Sequence, residues 1–119
     1  MQTSGLILDM HDDTRGEVVR DIYPTAADIP EMVKQAHHLS QEDLATLPDD
    51  CFALVLRQGD ATLRKYACVD AGNTELNVQY LIKTAHKLPR EAVKLAAQNL
   101  IVACGWYDIE PPEDLQKLA

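Results

Sequence analysis

Between Thr74 and Cys104 the chain carries a helical apolar pattern interrupted once, at Leu88-Pro89, and this stretch constrains the fold more than any other. Leu76, Tyr80, Leu81, Ala85 and Leu88 form a stripe of period 3.6, widened by Val78 and Ile82. Beyond the proline, Val93, Ala96, Ala97, Leu100, Ile101 and Cys104 repeat the stripe, while Arg90, Lys94 and Gln98 share the opposite face. Proline restricts its predecessor to extended conformations, so the chain must turn at Leu88. Asn73 or Thr74 can cap the first helix, Pro89 fits the first turn of the second, and Gly105 fits a left-handed stop. The result is an αα-hairpin whose helices are close to antiparallel and whose apolar faces need further cover.

The cover is close by in the sequence. Phe52 to Arg57 and Thr62 to Val69 flank Gln58-Gly59-Asp60-Ala61 and read as an antiparallel strand pair. An α+β fold follows, the αα-hairpin packed on a short antiparallel sheet. Upstream, Asp28 or Thr25 can cap a helix whose apolar face is Ile29, Met32, Val33, Ala36 and Leu39. Ser40-Gln41-Glu42-Asp43 resembles a capping box for one further turn, anchored by Leu44 and Leu47. After Gly105, Trp106 to Pro112 reads as extended, and Glu113 to Ala119 as a last helical turn. At the other end, Gly5 to Met10 and Glu17 to Arg20 flank Asp-Asp-Thr-Arg-Gly and fit a β-hairpin, or an arm laid on a partner. The division is thus 1–22 as N-terminal β-hairpin or extended arm, and 23–119 as a single α+β domain.

With 119 residues and 46% apolar content, the chain can bury one modest core, and one Phe and one Trp make that core mainly aliphatic. A formal charge of −8 without a basic run argues against direct nucleic-acid binding, which depends on neutralising phosphates. No apolar run approaches the ~20 residues of a membrane span, and the N-terminus lacks the pattern of a signal peptide, so a cytoplasmic protein is expected. Three widely spaced cysteines, Cys51, Cys68 and Cys104, read as buried free thiols and not as a disulfide framework.

Chemistry is sparse. His11, Asp12 and Asp13 with His37, His38 or His86 could seed a metal site, but neighbouring helical histidines diverge by about 100° and no ligand motif is present. A thiol enzyme would need a cysteine in an electropositive, partly exposed setting, which none of the three sequences around the cysteines promises. No nucleophile elbow, phosphate loop or nucleotide fingerprint occurs. The reading is therefore a non-enzyme with no cofactor and no metal. Trp106, Tyr107, Pro111 and Pro112 are the candidate partner-binding residues, because aromatic side chains favour binding hot spots. The competing reading places Trp106 in the chain's own core, whereas Tyr107 fits either role.

Leu47-Pro48-Asp49-Asp50-Cys51-Phe52-Ala53-Leu54, Arg64-Lys65-Tyr66, Val69-Asp70, Leu88-Pro89 and Ala96-Ala97 together resemble a small domain of tailed-bacteriophage head or maturation-associated proteins, over residues 47–109. The pattern departs from that family at Ala67-Cys68, where Pro-Ile is common, and at Asn77-Val78, where His-Val is common. The resemblance brings no catalytic residues. It implies a phage structural protein, virion- or assembly-associated, that binds other protein subunits as a capsid accessory does. Its location would be the host cytoplasm and then the virion, with homo-oligomerisation left open. The alternative is a soluble intracellular regulator that binds a host or phage protein.

Overall fold

The computed structural model describes residues 22, 23 and 25–119, so the N-terminal hairpin or arm expected before Tyr23 lies outside the described residues. The fold is α+β. Among the described residues five α-helices, α1 (Glu31–Lys34), α2 (Gln41–Thr46), α3 (Ala71–Thr84), α4 (Arg90–Trp106) and α5 (Glu113–Leu118), pack with a two-stranded antiparallel sheet of β1 (Phe52–Gln58) and β2 (Ala61–Ala67). Among the described residues no helix is long and apolar enough to cross a membrane.

The hairpin forms as its stripes require. Leu76, Val78 and Leu81 of α3 are buried against Val93, Ala96, Ala97, Leu100, Ala103 and Cys104 of α4, with Leu54, Tyr66 and Leu115 closing the same core. At the turn, a short 3-10 helix (Ala85–Lys87) ends in Leu88 at φ −117, ψ 154, the extended conformation that Pro89 imposes.

The hairpin's outer ends differ from expectation for local reasons. Helix α3 begins at Ala71, before Asn73 and Thr74, because Asp70 is the cap: its carboxylate accepts from the backbone N–H of Asn73 at 2.7 Å. Gly105 does not stop α4. The helix runs on to Trp106, and Asp108 takes the left-handed conformation at φ 56, letting the Ile109 N–H reach back to the Cys104 carbonyl at 2.9 Å. That long backward bond is the signature of a Schellman-type ending, displaced by three residues from the glycine.

Helix α1 is also shorter than the apolar spacing suggests. It ends after one turn, because the backbone around His37 is engaged by α3: the His37 N–H donates to Asp70 and its carbonyl accepts from Asn73. Gly72 makes this docking possible, since a Cβ there would lie 2.1 Å from the Met32 carbonyl oxygen. Leu39 is still buried, but in a second, smaller cluster with Leu44, Phe52 and Ala67. The capping box of α2 is present as read, Ser40 and Asp43 bonding reciprocally to each other's backbone N–H.

In the sheet, Phe52 faces Ala67 and Leu54 faces Lys65, while Tyr66 between them is passed over with φ at 67, a strained value for a bulky residue. The kink breaks the strand's alternation. Lys65 and Tyr66, adjacent in sequence, end on the same side, the Lys65 ammonium 4.9 Å from the Tyr66 ring and 5.2 Å from that of Tyr80. Lys65 is only 3% exposed, so the two ring faces shield its charge where water cannot.

Arg64 ties the strand pair to α2. Its guanidinium donates to the Leu44 and Leu47 carbonyls, approaches Asp49 at 3.4 Å, and lies 4.4 Å over the Phe52 ring. The Leu47 carbonyl gains a donor beyond the end of α2, and the Leu44 carbonyl, which already accepts from the Leu47 N–H, gains a second. A lysine has neither the planar fork nor the flat face needed here. Arg64→Lys is expected to cost about 1–3 kcal/mol in urea unfolding; a change below about 0.5 kcal/mol would show that the guanidinium contributes no more than a point charge.

Candidate functional site

The longest helix has two apolar faces. The inner one is lined mainly by alanine, which lets the elements around it come close. On the outer one Leu95, Val102 and Trp106 are 41%, 54% and 58% exposed, although soluble chains usually turn such side chains inward. Their spacing of seven and four residues aligns them along one side of α4.

Two hollows border this row where α4 meets β1. One, of about 240 Å³, is lined by Cys51, Phe52, Ala53, Asn99, Val102 and Trp106 among others. The second, of about 450 Å³, lies nearer the start of the helix between Leu56, Glu91, Lys94, Leu95 and Gln98. Asn99 joins helix to strand, its side-chain amide donating to the Ala53 carbonyl at 2.8 Å. The result is an apolar row with a polar margin, fixed on a helix that is anchored on its other side.

Of the four residues singled out in the sequence, the structure leaves Trp106 open and engages the others internally. Trp106 lies outside the core because α4 continues past Gly105 and carries it round to the line of Leu95 and Val102. Tyr107 turns inward, its hydroxyl donating to the Cys68 carbonyl at 3.0 Å, and packs edge-on to Trp106 with ring centres 6.4 Å apart. Pro111 accepts from Gln116 through its carbonyl, and Pro112 sits at the N-cap of α5; both are half-buried. Leu95 and Val102 escaped the sequence reading, which took the outer face to be polar from Arg90, Lys94 and Gln98. Their signal was the apolar seven-residue spacing itself.

The thiols lie deeper. Cys68 and Cys104 are buried and Cys51 is half-exposed; all three are free. Burial pushes the Cys68 thiol up to about 12 and raises Cys104 as well, and Cys68 donates to the Tyr66 carbonyl at 3.3 Å. A thiol so disfavoured as thiolate is a poor nucleophile. His37 and His38 are exposed side by side after α1 and His86 is exposed in the 3-10 turn, and among the described residues no three His, Cys, Asp or Glu side chains gather as metal ligands would. Burial holds the Glu75 carboxyl above the usual carboxylate range, beside Gln79 and Tyr23, whose phenol is pushed up to about 12 by burial and by Glu75 itself. No protein-family model, curated protein or solved structure matches the chain.

Two outcomes follow from these environments. In native protein a maleimide should modify Cys51 and leave Cys68 and Cys104 untouched until unfolding, as peptide mass mapping would show; rapid native labelling of Cys68 would contradict the burial of that thiol. Glu75 binds its proton more tightly folded than unfolded, so its contribution is most favourable below the unfolded pKa of about 4.3 and is lost as pH rises through the raised folded value. Glu75→Gln should therefore raise the urea midpoint at pH 7 and leave it near that of the unmodified protein at pH 4. A lower midpoint at pH 7 would contradict this sign.

Proposed function

We propose that this chain is a non-enzymatic structural or accessory subunit that binds other protein subunits through the outer face of α4, of the kind that joins a phage virion or takes part in its assembly. The observation that carries the reading is the aligned exposure of Leu95, Val102 and Trp106 on the longest helix. Apolar surface of a few hundred Å², rimmed by polar groups, is often functional even on a monomer. Trp at its end is the side chain most favoured as a binding anchor, and it needs little ordering because α4 already holds its backbone. The motifs over residues 47–109 support the phage attribution by resemblance.

The test is a photo-cross-linking amino acid placed at position 102 in protein expressed in its source, with position 116, exposed on α5, as control. Adducts at 102 and not at 116, sedimenting with assembled particles, are the expected result. Adducts confined to one soluble partner would favour the regulator instead, and the absence of any adduct at 102 would overturn the reading.

A further inference from the structure

The outer face of α4 has the register of a helix-pairing seam. At about 100° per residue Leu95, Val102 and Trp106 fall within roughly 20° of one line, bordered by Glu91 and Gln98 on one side and Asn99 on the other. Glu91, Leu95, Gln98, Val102 and Gly105 occupy alternating three- and four-residue spacings, two heptads of a coiled-coil type of contact. Gly105, whose missing side chain would meet nothing within 4 Å, leaves room at one end for a close neighbour.

We propose that a second copy of this chain covers the face, the two α4 helices packing antiparallel about a two-fold axis that passes between Gln98 and Asn99. This rests on the reading of that face as a protein-binding surface and names its occupant.

Two features select a second copy in this orientation, and a third sets how tightly it is held. The first is charge. Exposed Lys94 lines the hollow at the start of the face, whereas exposed Asp50 lines the one at its end, with Asp108 and Glu110 exposed just beyond α4. Antiparallel pairing sets the basic end of each copy on the acidic end of the other and opposes the helix dipoles favourably; parallel pairing would bring like ends together. The second is shape. The two-fold that places Leu95 opposite Val102 of the second copy, and Gln98 opposite its Asn99, also places Trp106 opposite its Glu91. There lies the hollow of about 450 Å³ between Leu56, Glu91, Lys94 and Leu95. An indole entering it meets apolar walls, a carboxylate that can accept its N–H, and an ammonium for its face.

The third is area. Leu95, Val102 and Trp106 together offer ~300 Å² of exposed apolar surface per copy, short of the roughly 800 Å² per partner of a standard interface. The polar flanks of α4 and the β1 rim must make up the difference. The dimer should accordingly be weak, with a Kd in the tens of micromolar, and should depend on its central apolar residues.

Sedimentation equilibrium of the full chain over about 5–500 µM tests this. The expected result is a reversible monomer–dimer equilibrium that Trp106→Ala and Val102→Glu each weaken by at least about thirtyfold, with far-ultraviolet circular dichroism and urea midpoint retained. Orientation is tested in a Cys51→Ser background: Gln98→Cys, next to the axis, should form an intermolecular disulfide by exchange with glutathione disulfide, releasing glutathione, and Glu91→Cys, which only parallel helices would bring together, should not; a Glu91→Cys disulfide would overturn the antiparallel orientation. A chain monomeric to 500 µM overturns self-pairing and leaves the binding face to be judged by the cross-link at position 102. A dimer insensitive to both substitutions places the contact elsewhere, and a sensitive dimer without the Gln98→Cys disulfide overturns the antiparallel two-fold.

Discussion

Close approach to the inner side of α4 is the contact on which the rest of the described fold depends. Ala92, Ala96, Ala97 and Ala103 keep that side low, so α3, β1 and α5 can all lie against one helix about 25 Å long. Larger residues would overfill the space between these elements, and overpacking in such a core typically costs 1–3 kcal/mol. Leu100 alone fills the depth at the centre, with Leu54, Leu81 and Leu115 around it. The sheet, only two strands wide, would be marginal in isolation; it gains its stability from this packing and from the hydrogen bond between Asn99 and Ala53.

Polar side chains then fix the parts that the core does not reach. Asp70 and Asn73 seize the backbone of His37 and hold α1 against α3, and Arg64 holds α2 against the strand pair through two carbonyls and the Phe52 ring. Asn77, fully buried, donates to the Ala67 carbonyl at 2.8 Å and anchors the end of β2 beside the kink at Tyr66. The N–H and carbonyl of His37 and the carbonyl of Leu47, groups outside the helices and strands, are satisfied in this way.

Much of this was legible in the sequence because it is periodic. The stripes of α3 and α4, the break at Leu88-Pro89, the two strands and the capping box at Ser40 all follow from local spacing. What was not legible depends on contacts distant along the chain. The truncation of α1 requires Asp70 and Asn73, more than thirty residues away. The kink at Tyr66 puts a tyrosine in a conformation that no local signal favours. The continuation of α4 through Gly105 to Trp106, with the left-handed turn at Asp108, puts Trp106 on the surface, where one of its two sequence readings had placed it in the core. The outer row itself was written in the sequence as Leu95 and Val102, but the charged residues beside them masked it.

The central claim is that α4 closes a core with one face and leaves the other open for a protein partner. Trp106 is the chain's single tryptophan, so its fluorescence reports on that face without ambiguity. At low micromolar concentration the native protein should emit at long wavelength and be quenched by acrylamide almost as readily as free tryptophan, with both effects diminishing as protein concentration rises. Blue-shifted emission that resists acrylamide at every concentration, and becomes accessible only on unfolding, would place Trp106 inside the fold and contradict the account.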